Sequence, residues 1–255
     1  MESGFSSLET LDLHQLRRSC RRCALSELCL PAGIDRADLE RLDSAVRDKR
    51  TLERGDHLYR QGDTFHSLYV VRSGSLKTVV EGPDGHAQVL GFHLPGELIG
   101  VDALANDRHL CAAMALERTS VCELPYSQLQ QVMADVPALQ RQLMRVVGRE
   151  IAAEQSHLVM MGRQQAQERL AIFLRSLSER YGRLSRDTTT LNLTMSRYDI
   201  ANYLGLVVET VSRLFTRMEA AGVLAVSRKT VTIVKPDLLA DLCGTQEDRP
   251  RALAR

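Results

Sequence analysis

The chain carries almost no excess charge: 33 Lys and Arg stand against 32 Asp and Glu, a formal charge of +1. Net charge therefore names no partner until it is resolved along the sequence. No window reaches the roughly 18 uninterrupted apolar residues of a membrane span, and the start, MESGFSSLETLDLHQLRRSC, has no apolar core. From these absences a cytoplasmic protein without a membrane partner is expected. H-E-x-x-H, G-x-S-x-G and G-x-x-x-x-G-K-[ST] are all missing, so the common hydrolase and nucleotide-cleaving signatures give no support to an enzyme. Disorder, collagen-like order and a disulfide-stapled mini-protein are excluded by 255 residues that are 44% hydrophobic and 25% charged. That length fits two domains and a connector.

Resolved along the chain, the charge is polarised. Residues 1–161 hold 18 basic and 22 acidic side chains, whereas residues 162–243 hold 12 and 8. The C-terminal third is the expected polyanion binder.

Half of the 16 glycines fall between Gly55 and Gly100, separating short runs such as HLYRQGD, SLYVVRSGSLKTVV and AQVLGFHLPGELIG. Val70, Val71, Leu76, Val79, Val80, Val89 and Leu90 suit a pleated, half-buried surface, and Pro83 to Gly85 forms a turn. Many short strands predict an antiparallel roll or barrel.

No proline lies between Pro137 and Pro236. With Asp135 as N-cap region and Pro137 in the first turn, a long helix over 137–161 is predicted. Met144, Val147, Ile151, Leu158 and Met161 follow alternating three- and four-residue steps, an a/d seam in which Glu154 takes one d position. In a parallel homodimer the two Glu154 carboxylates approach each other, and like charges leaving water cost stability. A dimer weakened in this way can be tipped by a modest free energy, as a sensor requires.

Leu170, Ile172, Phe173, Leu174 and Leu177 mark an amphipathic helix from Gln165 to Tyr181, ended by Gly182. In TMSRYDIANYLGLVVETVSRLFTRMEAAG, small Ala201 lets two helices cross closely, and Gly205, four residues on, supplies the positive φ of a tight turn. Beyond Gly222, LAVSRKTVTIVK reads as a hairpin with Arg228 and Lys229 at its turn, completing a winged helix. On the second helix Glu209, Ser212 and Arg213 stand at i, i+3 and i+4 and share one face. Their side chains suit base reading: arginine pairs bidentately with guanine, and glutamate accepts from cytosine N4.

Cys20, Cys23 and Cys29 lie within ten residues, among six cysteines in the chain. Three thiolates on one loop suit a soft metal or an iron-sulfur cluster that needs a fourth ligand. Spacing alone does not choose among Cys111, Cys122 and Cys243, and a four-cysteine zinc site stays open.

The succession RGDHLYRQGD, LYVVRSGSLK and PGELIG resembles the cyclic-nucleotide-binding roll of Crp-Fnr transcription regulators, and the resemblance runs over most of the chain. It implies an α+β architecture: an N-terminal cysteine-rich segment (1–30), an antiparallel β-roll or jelly roll (31–136), a dimerisation helix (137–161), a winged helix-turn-helix (162–243) and a tail (244–255). Nucleotide-binding members follow their GEL element, here Gly96 to Leu98, with an Arg-Ser or Arg-Thr pair; this chain has Arg108 followed by His109, which implies a roll kept as scaffold.

VVETVSRLF is similar to the recognition helix of the Fnr branch, whose E-x-x-S-R triplet lands on Glu209, Ser212 and Arg213 and reads TTGAT half-sites in double-stranded DNA. In that branch an N-terminal cysteine cluster and a cysteine in S-V-C-E-[IL]-P hold an oxygen-labile 4Fe-4S cluster; the matching segment is SVCELP, which implies Cys20, Cys23, Cys29 and Cys122 as ligands. The resemblance further implies a homodimer on palindromic DNA under low oxygen, lost when oxygen degrades the cluster, with nitric oxide as a second signal. Contacts with RNA polymerase, one surface being EGPDGH (81–86), would serve activation. The rival reading is a regulator of the same fold that senses nitric oxide, a haem-bound gas, a cyclic nucleotide or zinc.

Overall fold

The computed structural model describes residues 23, 25, 29, 32–82, 85–185 and 187–244. Cys20, the arginines at 17, 18, 21 and 22, Pro83, Asp84 and the tail beyond Gly244 lie outside the described residues.

Helix α1 (Arg36–Ala45) starts where the Asp35 carboxylate accepts the Asp38 N–H, and it buries Leu42 and Ala45. Eight strands follow: β1 (Arg47–Leu52), β2 (His57–Tyr59), β3 (Ser67–Ser73), β4 (Leu76–Glu81), β5 (Ala87–His93), β6 (Leu98–Ile99), β7 (Ala112–Ala115) and β8 (Thr119–Pro125). They pair antiparallel in two four-stranded sheets, ordered β1-β8-β3-β6 and β2-β7-β4-β5. This is the roll that the glycine-punctuated apolar runs predict.

Strand alternation feeds two cores from one strand. On β3, Tyr69 and Val71 join Leu52, Leu58, Leu76 and Val121 between the sheets, whereas Leu68 and Val70 join a second core with Leu42 and Leu124. Two helices close that second core: α2 (Tyr126–Asp135), through Leu129, and α3 (Pro137–Arg163), through Leu139, Leu143 and Val146. The turn between β3 and β4 needs glycine, since Gly74 has φ +79 and a Cβ there would sit 2.5 Å from Thr119 Oγ1.

Helix α3 contains the expected 137–161 span and runs to Arg163. Asp135 does not cap it; that residue ends α2, and Val136 is the N-cap, without a side-chain bond. Two successive helices leave one linking residue, so the proline and not the aspartate sets the start.

Helix α4 (Ala166–Ser185) outlasts the predicted stop at Gly182, which lies inside it. Gly182 packs against Thr188, where a Cβ would meet Thr188 Cγ2 at 2.5 Å, so it serves close approach and does not terminate the helix. Then come β9 (Thr190–Asn192), α5 (Arg197–Leu204), α6 (Val208–Ala220), β10 (Leu224–Ser227), β11 (Thr230–Ile233) and α7 (Pro236–Asp241). The predicted hairpin β10-β11 gains β9 as a third strand. The third core, built from Leu170, Phe173, Leu174, Ile200, Leu204, Val211 and Phe215, also takes in Val79, Val89, Phe92 and Leu94 from the roll.

Candidate nucleic-acid interface and cysteine site

Helix α5 begins with a capping box: Ser196 Oγ accepts the Asp199 N–H at 3.1 Å and Asp199 Oδ2 accepts the Ser196 N–H at 2.9 Å. It ends on Gly205 at φ 62, and the Leu206 N–H returns to the Ala201 carbonyl at 2.9 Å. This left-handed cap is the tight turn expected of that glycine. Ala201 is fully packed beneath it.

Helix α6 then divides its residues cleanly. Val211, Leu214, Phe215 and Met218 are buried, and Glu209, Ser212 and Arg213 are exposed together on the outer face. Among the described residues neither Glu209 nor Arg213 is drawn into an ion pair, so the donor and acceptor groups stay available. The Arg197 guanidinium, by contrast, lies 3.3 Å over the Phe215 ring and braces the two helices. Arg228 and Lys229 stand exposed at the wing turn, with Arg228 in the left-handed region at φ 53.

The seam residues on α3 divide into two groups. Met144, Ile151, Glu154 and Leu158 face solvent; Leu158 is 70% exposed and Ile151 50%. Val147 leans on the second core, and Met161 packs into the third, receiving Arg169 at its carbonyl oxygen at 2.7 Å. Met144, Ile151 and Leu158 thus recur every seven residues along the exposed side of this helix, with Glu154 among them. Among the described residues no helix is long and apolar enough to cross a membrane.

Cys29 and Cys122 both border the second core, Cys122 from β8 beside Val70 and Cys29 from the loop before α1. Gln142 of α3 donates to the Cys29 carbonyl at 3.5 Å. Cys23 is half-buried, and Cys20 lies outside the described residues. Among the described residues no three His, Cys, Asp or Glu side chains converge as a metal site. The remaining thiols sit elsewhere: Cys111 is buried in the core between the sheets, and Cys243 packs on the third core with its thiol on the Leu239 carbonyl at 3.2 Å. Burial, and then the adjacent Asp102 carboxylate, push the Cys111 thiol up to about 12, which keeps it protonated and a poor ligand.

Inside the roll, His109 stacks on Tyr59 at 3.6 Å, while Arg108 turns outward to donate to the Gly62 carbonyl at 2.9 Å. The adjacent Arg108 and His109 therefore point to different environments. Of the loop 81–86, two residues lie outside the described set; the base is closed by the Gly82 N–H on the His86 carbonyl at 2.9 Å.

The sequence reading missed the residues that join the unit from α4 to α7, the head, to the roll: Lys77, Arg180, Asp199 and Asn202. No local signal marks them, since each partner lies more than 80 residues away.

Comparison with known proteins matches two domain profiles, a cyclic nucleotide-binding domain at residues 49–136 and a Crp-like helix-turn-helix domain at residues 168–242. The chain is 44% identical over 225 residues to the transcriptional activator protein Anr of Pseudomonas protegens, covering 88% of this chain and 92% of that one. It is 40% identical over 225 residues to the fumarate and nitrate reduction regulatory protein of Escherichia coli, covering 88% and 90%. Among solved structures it is similar to FixK2 from Bradyrhizobium japonicum, with a TM-score of 0.72 and 27% identity over 78% of this chain and 98% of that one.

Proposed function

Since this chain belongs to the Crp-Fnr family of transcription regulators, we propose that it is an oxygen-responsive member that reads TTGAT-type palindromes as a dimer and controls anaerobic or microaerobic genes. Its relatives are regulators and not enzymes. The observation that carries the proposal is the shared second core: Cys29 and Cys122 border the same apolar cluster into which α3 sends Leu139, Leu143 and Val146. A change at those thiols is thereby one packing layer from the seam helix.

Cys20, Cys23, Cys29 and Cys122 are the residues that would hold a 4Fe-4S cluster. The two described ligands that lie far apart in sequence border one core, and an all-thiolate set suits iron and sulfide. When bound, the cluster supplies an iron centre that reacts with oxygen or nitric oxide. The chain's own residues do the rest. Through the cluster, Cys29 and Cys122 would tie the N-terminal segment to β8, and Gln142 links the Cys29 backbone to α3. Met144, Ile151 and Leu158 bury their exposed surface against a second copy, and Glu154 opposes that approach so that association depends on the tie. Two α6 helices related by the dimer axis then enter successive major grooves about 34 Å apart, with Glu209, Ser212 and Arg213 on base edges and the wing at phosphate. RNA polymerase is the partner for activation, through surfaces that include residues 81–86. A cytoplasmic location follows from this role.

The test is anaerobic purification with iron and sulfide analysis, and with visible spectra and sedimentation before and after air. About four irons and four sulfides per chain, with dimer lost on exposure, are expected. Zinc or no metal, with association indifferent to air, would overturn the oxygen reading and leave a regulator of this fold with another signal.

A further inference from the structure

The head does not hang from α3 by a linker. One set of its contacts with the roll lies on β5, the edge strand of the second sheet, whose outward N–H and C=O groups need partners. The Asn202 side-chain amide supplies them: Nδ2 donates to the Ala87 carbonyl at 2.7 Å and Oδ1 accepts the Val89 N–H at 2.5 Å. One amide thus makes the pair of bonds that a neighbouring strand would make. Gln88 Nε2 returns a bond to the Asn202 carbonyl at 2.8 Å.

One helical turn before Asn202, Asp199 pairs with Lys77 of β4 at 2.5 Å, both side chains being largely buried. Asp199 is also the third residue of α5 and closes its capping box with Ser196, so one carboxylate fixes the helix start and its place on the roll. Two more ties flank these. Ser75 Oγ meets Thr194 Oγ1 at 2.7 Å, and Arg180 of α4 grips Glu97 with two nitrogens while also donating to the Phe92 carbonyl. Between them Phe92 packs on Phe173 and Tyr203, whose ring stacks on His157 of α3 at 4.2 Å.

While α5 turns Asp199 and Asn202 to the roll, the Glu209, Ser212 and Arg213 face of α6 stays exposed. The docked arrangement therefore leaves the reading face open. An autoinhibitory contact would cover that face.

We propose that the β4-β5 hairpin of the roll is a positioning clamp for the DNA-reading head, with Asn202 on the β5 edge and Asp199 on Lys77 fixing the angle at which α6 is presented. Two helices must meet grooves at a set spacing, and heads held rigid beforehand lose less freedom on binding. Lys77 and Asn202 are positioning residues in this scheme and touch no base. Because β4 also sends Leu76 into the core between the sheets, a shift within the roll reaches the head inside one chain, in parallel with the dimer seam. The inference rests on the DNA-reading role proposed above.

The experiment uses the full chain, purified anaerobically, as wild type, Asn202→Ala and Lys77→Met. Amide hydrogen exchange at Val89 reports the clamp, sedimentation reports the dimer, and titration of a TTGAT palindrome and of a scrambled duplex at one salt concentration reports the head. In Asn202→Ala the Val89 amide is expected to exchange at least about tenfold faster. In both variants the dimer and the scrambled-duplex affinity are kept, and palindrome affinity falls on the order of tenfold, the scale of coupling between linked sites. Equal Val89 exchange in wild type and Asn202→Ala would overturn the clamp. A freed Val89 with unchanged palindrome affinity would overturn its positioning role. Wild type that binds no duplex would overturn the DNA-reading role and this inference with it, which separates that failure from the other two.

Discussion

Replacing Arg180 by methionine removes the cation from a nearly enclosed ion pair and keeps most of the apolar volume. Arg180 and Glu97 retain 22% and 26% of their side-chain exposure, and Glu97 also accepts the Leu94 N–H at 2.9 Å. Breaking a buried pair by removing one partner typically costs about 3 to 5 kcal/mol, because the other charge stays desolvated. The residual exposure puts this site at the lower end, about 3 kcal/mol at pH 8.

The loss should depend on pH. In the wild type, burial pushes the Glu97 carboxyl up, but Arg180 pulls it further down, to a net position below its ordinary value. A depressed carboxyl stabilises the fold above its ordinary value, and that contribution is lost as pH falls through the folded value. Without Arg180, burial raises Glu97 instead, and Glu150, itself pushed up to about 7 by burial and then by Glu97, adds repulsion. The folded variant then holds a proton that the unfolded chain releases, so its stability falls as pH rises from about 5 to 8. The deficit against wild type should therefore be larger at pH 8 than at pH 5. The chain has no tryptophan, so urea unfolding would be followed by far-ultraviolet circular dichroism. The double variant Glu97→Leu/Arg180→Met should regain most of the loss. A deficit under about 1 kcal/mol at pH 8, or one equal at both pH values, would refute the reasoning.

Glu154→Ala should strengthen self-association of the air-exposed protein on the order of tenfold, equivalent to about 1.4 kcal/mol. Sedimentation showing no more dimer than wild type would end the weakened-seam argument. Gly74→Ala places a Cβ 2.5 Å from Thr119 Oγ1 and 2.6 Å from the Arg118 carbonyl oxygen at φ +79. It should lower roll stability by about 2 kcal/mol or more, read as a drop in thermal midpoint; an unchanged midpoint would contradict the close approach.

The helix-turn-helix was legible because its signals are local. Ala201, Gly205 and the exposed triplet on α6 lie within 13 residues, and each acts through backbone conformation or helical spacing. The roll was legible as a class, from glycine spacing and β-branched runs, but its strand order was not, since pairs such as β3 with β8 join segments some 50 residues apart. Helices α1, α2 and α7 escaped notice because each is short, and tertiary packing rather than a long periodic pattern holds it. Of the cysteine site, the compact N-terminal triplet is a sequence feature; that Cys122 shares a core with Cys29 while Cys111 lies between the sheets depends on which face of the roll each strand presents.

The third core has a practical meaning for grafting. Cut at the end of α3, the chain looks like a sensor module joined to an interchangeable reading module. Yet Val79, Val89, Phe92 and Leu94 of the roll belong to the same apolar cluster as Phe173, Leu174, Ile200 and Leu204 of the head. A chimera that borrows a head from another regulator would inherit an unmatched half of that cluster on each side of the junction. The natural unit of exchange includes the β4-β5 hairpin together with the head it carries, and the loop joining residues 81–87 is part of what would have to travel.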